Sequence, residues 1–231
     1  MDALRLTPYF FSNAAKVNPL SIHAGPAVDS LRVITSAFDQ SVGETGGIPP
    51  RAWSPGTLSS MILTYTRPHV EMPCDSKETR LDGPAKLTST WGGIAVASSF
   101  YLYGVLGVRK AGMPIESRLL SCIFGMLSKD LDITANALAM CKCDSDFWLW
   151  KAFSASFAAA KLESRASEVD HQQEARRIKN VAYQRVREWS KSTEVSGWAI
   201  VRATLHRIVW PEKSADAEAR TIWEEAMKMS N

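Results

Sequence analysis

The sequence predicts an all-α protein, an irregular multi-helix bundle, on three observations. Apolar residues recur at three- and four-residue steps through most of the chain, the period of helices with one buried face. Cap residues and prolines stand where those stripes begin and end. No alternating run of any length marks a half-buried strand. With 231 residues, 45% apolar and 22% charged, the chain is long enough to bury a substantial core and has ordinary globular composition.

The chain divides near residue 85, into a loop-rich helical part (1–84) that could belong to the same domain and a helical core (85–231). In the first part the helical pieces Val28–Gln40 and Leu58–Tyr65 are separated by Gly43, Gly46, Gly47, Pro49, Pro50, Pro55 and Gly56. The polar, aperiodic stretch from Pro68 to Pro84 reads as a surface loop. From Ala85 the pattern tightens. Trp91, Ile94, Ala95, Ser98, Tyr101, Leu102, Val105 and Leu106 make one apolar face of a long helix, which Gly92 and Gly93 weaken near its start. Pro114 suits a first helical turn, and Ile115, Leu119, Leu120, Ile123, Phe124 and Leu127 continue from it. A short helix from Leu131 to Met140 follows.

Asp144, Ser145 and Asp146 are cap candidates for the next helix, Phe147 to Leu162, which is apolar nearly all round and therefore central. The polar run Glu163–Glu174 is a connector or an exposed helix start. Beyond it Ile178, Val181, Ala182, Val186 and Trp189 form one stripe of a helix charged on its other face. Ser196 can cap a helix carrying Trp198, Val201, Leu205 and Ile208, which Pro211 ends. Ser214 can cap the last one, with Asp216 and Glu218 near its positive end and Ala219, Ile222, Trp223 and Ala226 buried.

Little of this carries chemistry. Cys141 and Cys143 are one residue apart, too close for the usual paired zinc ligands, and no histidine is near, so no metal site is expected. Cys122 reads as a buried small hydrophobe and Cys74 as an idle thiol; reduced cysteines fit an unsecreted protein. His23, His69, His171 and His206 are isolated, and none sits in a motif that would activate a nucleophile. His206 near a helix C-terminus should be favoured as the cation by the helix dipole. The Gly43–Gly47 stretch lacks the Lys-Ser/Thr of a phosphate loop. Asp130 and Asp132 read as caps at a helix junction. No catalytic residue, cofactor or binding residue is identified.

A formal charge of +3 is modest, so no direct nucleic-acid binding is expected. The basic run Arg176, Arg177, Lys179, Arg185, Arg187 and Lys191 is interleaved with acids on a helix already committed to a core, and reads as a solvated face. The start, Met1-Asp2-Ala3-Leu4-Arg5, lacks a signal peptide's basic cluster. The apolar stretch Ile94 to Val108, broken by Ser98, Ser99 and Gly104, is shorter than the roughly 20 residues that span a bilayer. A soluble protein of the nucleus or cytoplasm is expected.

The order of the Ala95-to-Leu106 helix with Phe100-Tyr101-Leu102-Tyr103, Asp146-Phe147-Trp148-Leu149-Trp150-Lys151-Ala152-Phe153, Val186-Arg187-Glu188-Trp189, Ser196-Gly197-Trp198, Leu205 through Pro211 and Ile222-Trp223-Glu224-Glu225-Ala226 resembles the C-terminal half of the fungal-specific transcription factor domain, over about residues 86–228. The same helical region occurs in fungal proteins of the tachykinin family. The resemblance implies a helical regulatory domain in the nucleus or cytoplasm, acting through a protein partner, a homodimer or a small-molecule effector. The zinc cluster of such regulators is missing, and the chain is short for the family, as a truncated product, a degenerate paralogue or a stand-alone module would be. Two other readings stand beside it: a ligand carrier or enzyme with a pocket between the Trp91–Leu106 and Phe147–Leu162 helices, and a pure interaction scaffold. An uncovered apolar patch and self-association are expected if part of the core is missing.

Overall fold

A computed structural model describes residues 22–44, 87–107, 117–135, 142–166, 168–212 and 214–228. Strand β1 (Ile22–His23) leads into α1 (Gly25–Glu44). Strand β2 (Thr88–Ser89) precedes α2 (Trp91–Phe100), which continues as a π-helical turn, Tyr101–Val105. Then come α3 (Ser117–Ile133), α4 (Lys142–Arg165), α5 (Val169–Thr193), α6 (Trp198–Ile208) and α7 (Asp216–Lys228). The fold is an irregular all-α bundle. Among the described residues its one extended feature is the two-residue antiparallel pairing of Ile22 with Ser89 and His23 with Thr88.

The central element is α4, which touches α2, the π turn, α3, α5, α6 and α7. Its sequence dictates that position. Phe147 to Ala159 has no polar face, and every residue of that stretch is buried, Lys151 included. Around it lie helices with one stripe each: Ala175, Ile178, Ala182, Val186 and Trp189 on α5, Val201, Leu205 and Ile208 on α6, and Ala219, Ile222, Trp223 and Ala226 on α7. Helix α1 joins the same core through Val28, Leu31, Ile34, Phe38 and Val42.

Several glycines are explained by close approach. A Cβ on Gly104 would lie 2.9 Å from the backbone of Ala158, so the π turn and α4 are in direct contact there. The space between the Trp91–Leu106 and Phe147–Leu162 segments is filled at that level. A Cβ on Gly92 would meet Met126 at 2.6 Å, and one on Gly93 would fall 2.1 Å from the Asp130 carboxyl carbon. These glycines give up helix propensity so that α3 can lie against the first turn of α2.

Element boundaries differ from the sequence reading where a tertiary partner takes over from a local signal. Leu131 to Ile133 finish α3 and do not begin a new helix. Helix α4 begins at Lys142, so Asp144, Ser145 and Asp146 lie inside it. Ser145 Oγ accepts the indole N–H of Trp189 at 3.0 Å, and Asp146 takes Arg207 at 2.7 Å. Gly197, without a side-chain bond, stands at the N-cap of α6 in place of Ser196. Ser214 Oγ has no partner, and Ala215 enters α7 with φ +68°. The expected helix Leu58–Tyr65 and loop 68–84 lie outside the described residues.

Gly104→Ala should lower stability by about 1–3 kcal/mol in urea titrations, overpacking outweighing the gain in helix propensity. Gly125→Ala on α3, where an added Cβ meets nothing within 4 Å, should raise it by up to about 1 kcal/mol.

Candidate functional site

The most concentrated chemistry is a buried ionic centre where α3, α4 and the start of α2 meet. Asp130 on α3 and Lys151 on α4 form an ion pair with Nζ and Oδ2 2.5 Å apart, both side chains closed to solvent. The other carboxylate oxygen, Oδ1, accepts the backbone N–H of Thr90 at 2.5 Å and the hydroxyl of Ser89 at 3.1 Å. Thr90 is itself the N-cap of α2, its Oγ1 accepting the amide of Gly93. A carboxylate from another helix therefore completes the cap, at the helix end where negative charge is favoured.

The Lys151 ammonium is equally committed. Besides Asp130 it lies 3.4 Å from Thr134 Oγ1 and 4.9 Å from the centre of the Phe147 ring. Burial pushes its pKa down from the ordinary lysine value, against the pull of Asp130. A lysine with a lowered pKa is the usual raw material of a nucleophile or base. Here the nitrogen is enclosed and its partners are structural, so the arrangement works as a staple joining three elements.

A second lysine of α4 holds the other end of the α2 segment. Lys161 Nζ donates to the carbonyl of Gly104 at 2.6 Å, faces the Phe157 ring at 4.9 Å and lies 3.4 Å from Glu218. In the π turn the Leu106 amide reaches back to the Tyr101 carbonyl at 3.1 Å. The Tyr101 hydroxyl shares a 2.8 Å hydrogen bond with Thr35 of α1, and burial drives its pKa far above the phenol range.

The histidine at the α6–α7 junction behaves opposite to the sequence expectation. Burial first and Arg202 second lower the His206 pKa, outweighing Asp216, Glu212 and Asp39. His206 Nε2, Trp210 Nε1, Ser214 Oγ and Asp216 Oδ1 are buried atoms without hydrogen-bond partners.

The remaining candidates disperse. Cys122 is exposed and free on α3, contrary to the buried thiol expected; its helix turns it outward while Leu120, Ile123 and Phe124 point in. Cys74 and Cys141 lie outside the described residues, and among those described no group of three metal-binding side chains occurs. The basic helix is largely paired: Arg176 and Lys179 with Glu163, Arg177 with Glu174, and Arg185 with Asp132 and Glu188. Among the described residues no helix is long and apolar enough to cross a membrane. The exposed large apolar side chains there, Val33, Ile133, Val169 and Ile200, lie on four different helices.

Sequence reasoning missed the Asp130–Lys151 centre. The available signal was a single cation inside the apolar run Phe147–Ala159, a residue that stays buried only with a partner.

Compared with protein-family models, curated proteins and solved structures, the chain gives no match. The resemblance to the fungal-specific transcription factor domain is corrected accordingly, and nothing ties the chain to fungi, transcription or the nucleus. Its physical basis is visible in the core. Trp148, Trp150, Trp189, Trp210 and Trp223 are buried packing positions, and aromatic residues at helical spacing arise wherever helices pack around an apolar centre.

Asp130→Ala should cost about 3–5 kcal/mol in urea unfolding, because it leaves a buried ammonium uncompensated. Asp132→Ala, which breaks only the surface pair with Arg185, should cost less than about 1 kcal/mol. For His206 the folded protein binds the proton less well than the unfolded chain, whose imidazole titrates near 6.5. Stability from this group is therefore present above that pH and declines as pH falls below it. His206→Gln should flatten the fall in urea midpoint between about pH 7.5 and 5.5.

Proposed function

We propose that the chain is a helical module that works by binding protein. The observation that carries this reading is the seating of α1. Ala27, Val28, Leu31, Ile34, Thr35, Phe38 and Val42 are its buried face, at the spacing by which an amphipathic helix fills a groove. Polar links fix its register. The Arg32 guanidinium donates to the carbonyls of Ile208 at 2.7 Å and Arg207 at 2.8 Å, Thr35 meets Tyr101, and Asp39 accepts the amide of Glu212 at 3.0 Å.

In this reading the domain binds partner helices as it holds its own α1, by apolar anchors and polar sockets. Two further features support binding over catalysis. The lysine with the chemistry of a nucleophile is enclosed and fully engaged, and the contact of Gly104 with Ala158 fills space that a carrier pocket between those helices would need. In this reading the domain is a rigid α4-centred scaffold, and recognition lies on its outer helices.

The test separates a protein partner from a small molecule. The purified chain is melted in the presence of its own cells' extract, divided by dialysis into macromolecular and small-molecule fractions. The macromolecular fraction should raise the melting temperature, and protease treatment of that fraction should abolish the shift. Stabilisation by the small-molecule fraction alone would overturn the proposal.

A further inference from the structure

We infer that the junction of α6 and α7 is a binding site for one internal water molecule, held jointly by His206, Trp210, Ser214 and Asp216. Between residues 206 and 216 the chain buries four polar atoms that have no hydrogen-bond partner: His206 Nε2, Trp210 Nε1, Ser214 Oγ and Asp216 Oδ1. Trp210 is only 4% exposed, so its indole N–H has no route to bulk solvent. Buried polar groups are nearly always bonded, to protein or to ordered water. Four orphaned atoms in one short stretch therefore call for a shared partner.

Other contacts draw the pieces together. Arg202 Nε on α6 donates to Asp216 Oδ2 at 2.5 Å, which joins α6 to the first turn of α7. His206 follows Arg202 by one helical turn, and the charges acting on its ring are Arg202, Asp216, Glu212 and Asp39. The Trp210 ring packs on Phe157 of α4 with centres 5.9 Å apart. Lys161, 4.9 Å from the centre of that same ring, lies 3.4 Å from Glu218 in the first turn of α7. The end of α6, the connection and the start of α7 are thus tied to one another and to one stretch of α4.

The chemistry of the four atoms selects the occupant. The Trp210 indole can only donate, and the Asp216 carboxylate can only accept. One group that serves both has to accept and to donate. A metal cation cannot accept the indole proton, and a simple anion has no proton for the carboxylate. Hydroxylic and amide groups can do both, and water is the smallest of them, suited to atoms that are each closed to solvent. Water also satisfies all four. It accepts from Trp210 and from the Ser214 hydroxyl, and it donates to Asp216 Oδ1 and His206 Nε2, within the two to four bonds usual for an internal water. His206 Nε2 is then the bare nitrogen, and the neutral ring carries its proton on Nδ1. The Arg207 and Ile208 carbonyls that receive Arg32 lie in the same last turn of α6, so the water belongs to the frame on which α1 rests.

The test is nuclear magnetic resonance of the full-length, nitrogen-labelled chain above about pH 7.5, where an unperturbed imidazole is neutral. Trp210→Phe assigns the indole signal. The Trp210 indole proton should show a cross-peak to water with the sign of a molecule bound for longer than the protein takes to tumble. That cross-peak should persist in Ser214→Ala, shown to be folded by its amide spectrum, because the water keeps three partners there. Imidazole nitrogen spectra should place the His206 proton on Nδ1. Absence of the cross-peak in the unaltered chain would overturn the inference. So would its loss in folded Ser214→Ala, which would make the serine hydroxyl its source, and so would a neutral His206 protonated on Nε2.

Discussion

One carboxylate decides how α2, α3 and α4 of this bundle meet. Asp130 sits on α3 with one oxygen on the Lys151 ammonium of α4 and the other on the Thr90 amide and Ser89 hydroxyl that open α2. Burying either charge by itself is expensive, and together they are tolerable only when every remaining bond is made. That requirement fixes three elements at once. Gly93 has no side chain because the carboxylate occupies that space, and β2 stops where its last hydroxyl turns to the same oxygen. The buried pair is thus better understood as a device that excludes other registers than as a large source of stability.

The same solution recurs at other helix ends, which an irregular bundle leaves pointing at one another. The indole of Trp148 donates to the Leu131 carbonyl in the last turn of α3, and the indole of Trp150 donates to the Val209 carbonyl just past α6. Lys161 closes the π turn at Gly104, and Arg32 closes α6. Orphan backbone groups are satisfied by side chains reaching across from other helices, with few local caps. Aromatic bodies then fill the spaces between. Trp210 packs against Tyr101, Phe153 and Phe157 with ring centres 5.7–6.1 Å apart, joining the π turn, α4 and the end of α6.

The sequence revealed what periodicity can reveal. The stripes ending in Trp189, Ile208 and Ala226 marked three helices and their buried faces, and the unbroken apolar run from Phe147 marked the central one. Long-range substitutions for local signals were invisible. Ser145 and Asp146 have the chemistry of caps but serve Trp189 and Arg207, far away in sequence. Asp130 looked like a junction residue because its partners lie on other elements. Cys122 was assigned inward from the apolar character of its neighbourhood, whereas its own angular position on α3 turns it out. The tryptophan order suggested a family for a related reason: buried aromatics report that helices pack, and many unrelated sequences meet that demand in similar ways. The α1 seat depended on contacts with residues far along the chain, which no local pattern contains.

An account in which Asp130 and Lys151 act as a unit makes a sharp demand on energetics. Urea unfolding of the unaltered chain, Lys151→Met, Asp130→Asn and the double variant forms a double-mutant cycle. If the pair fixes α2, α3 and α4 together, the double variant will be less destabilised than the sum of the two single variants by about 2–3 kcal/mol, since it leaves neither charge stranded. Single-variant effects that add to within about 0.5 kcal/mol would show that the two groups act independently, and would contradict the central role given to them here.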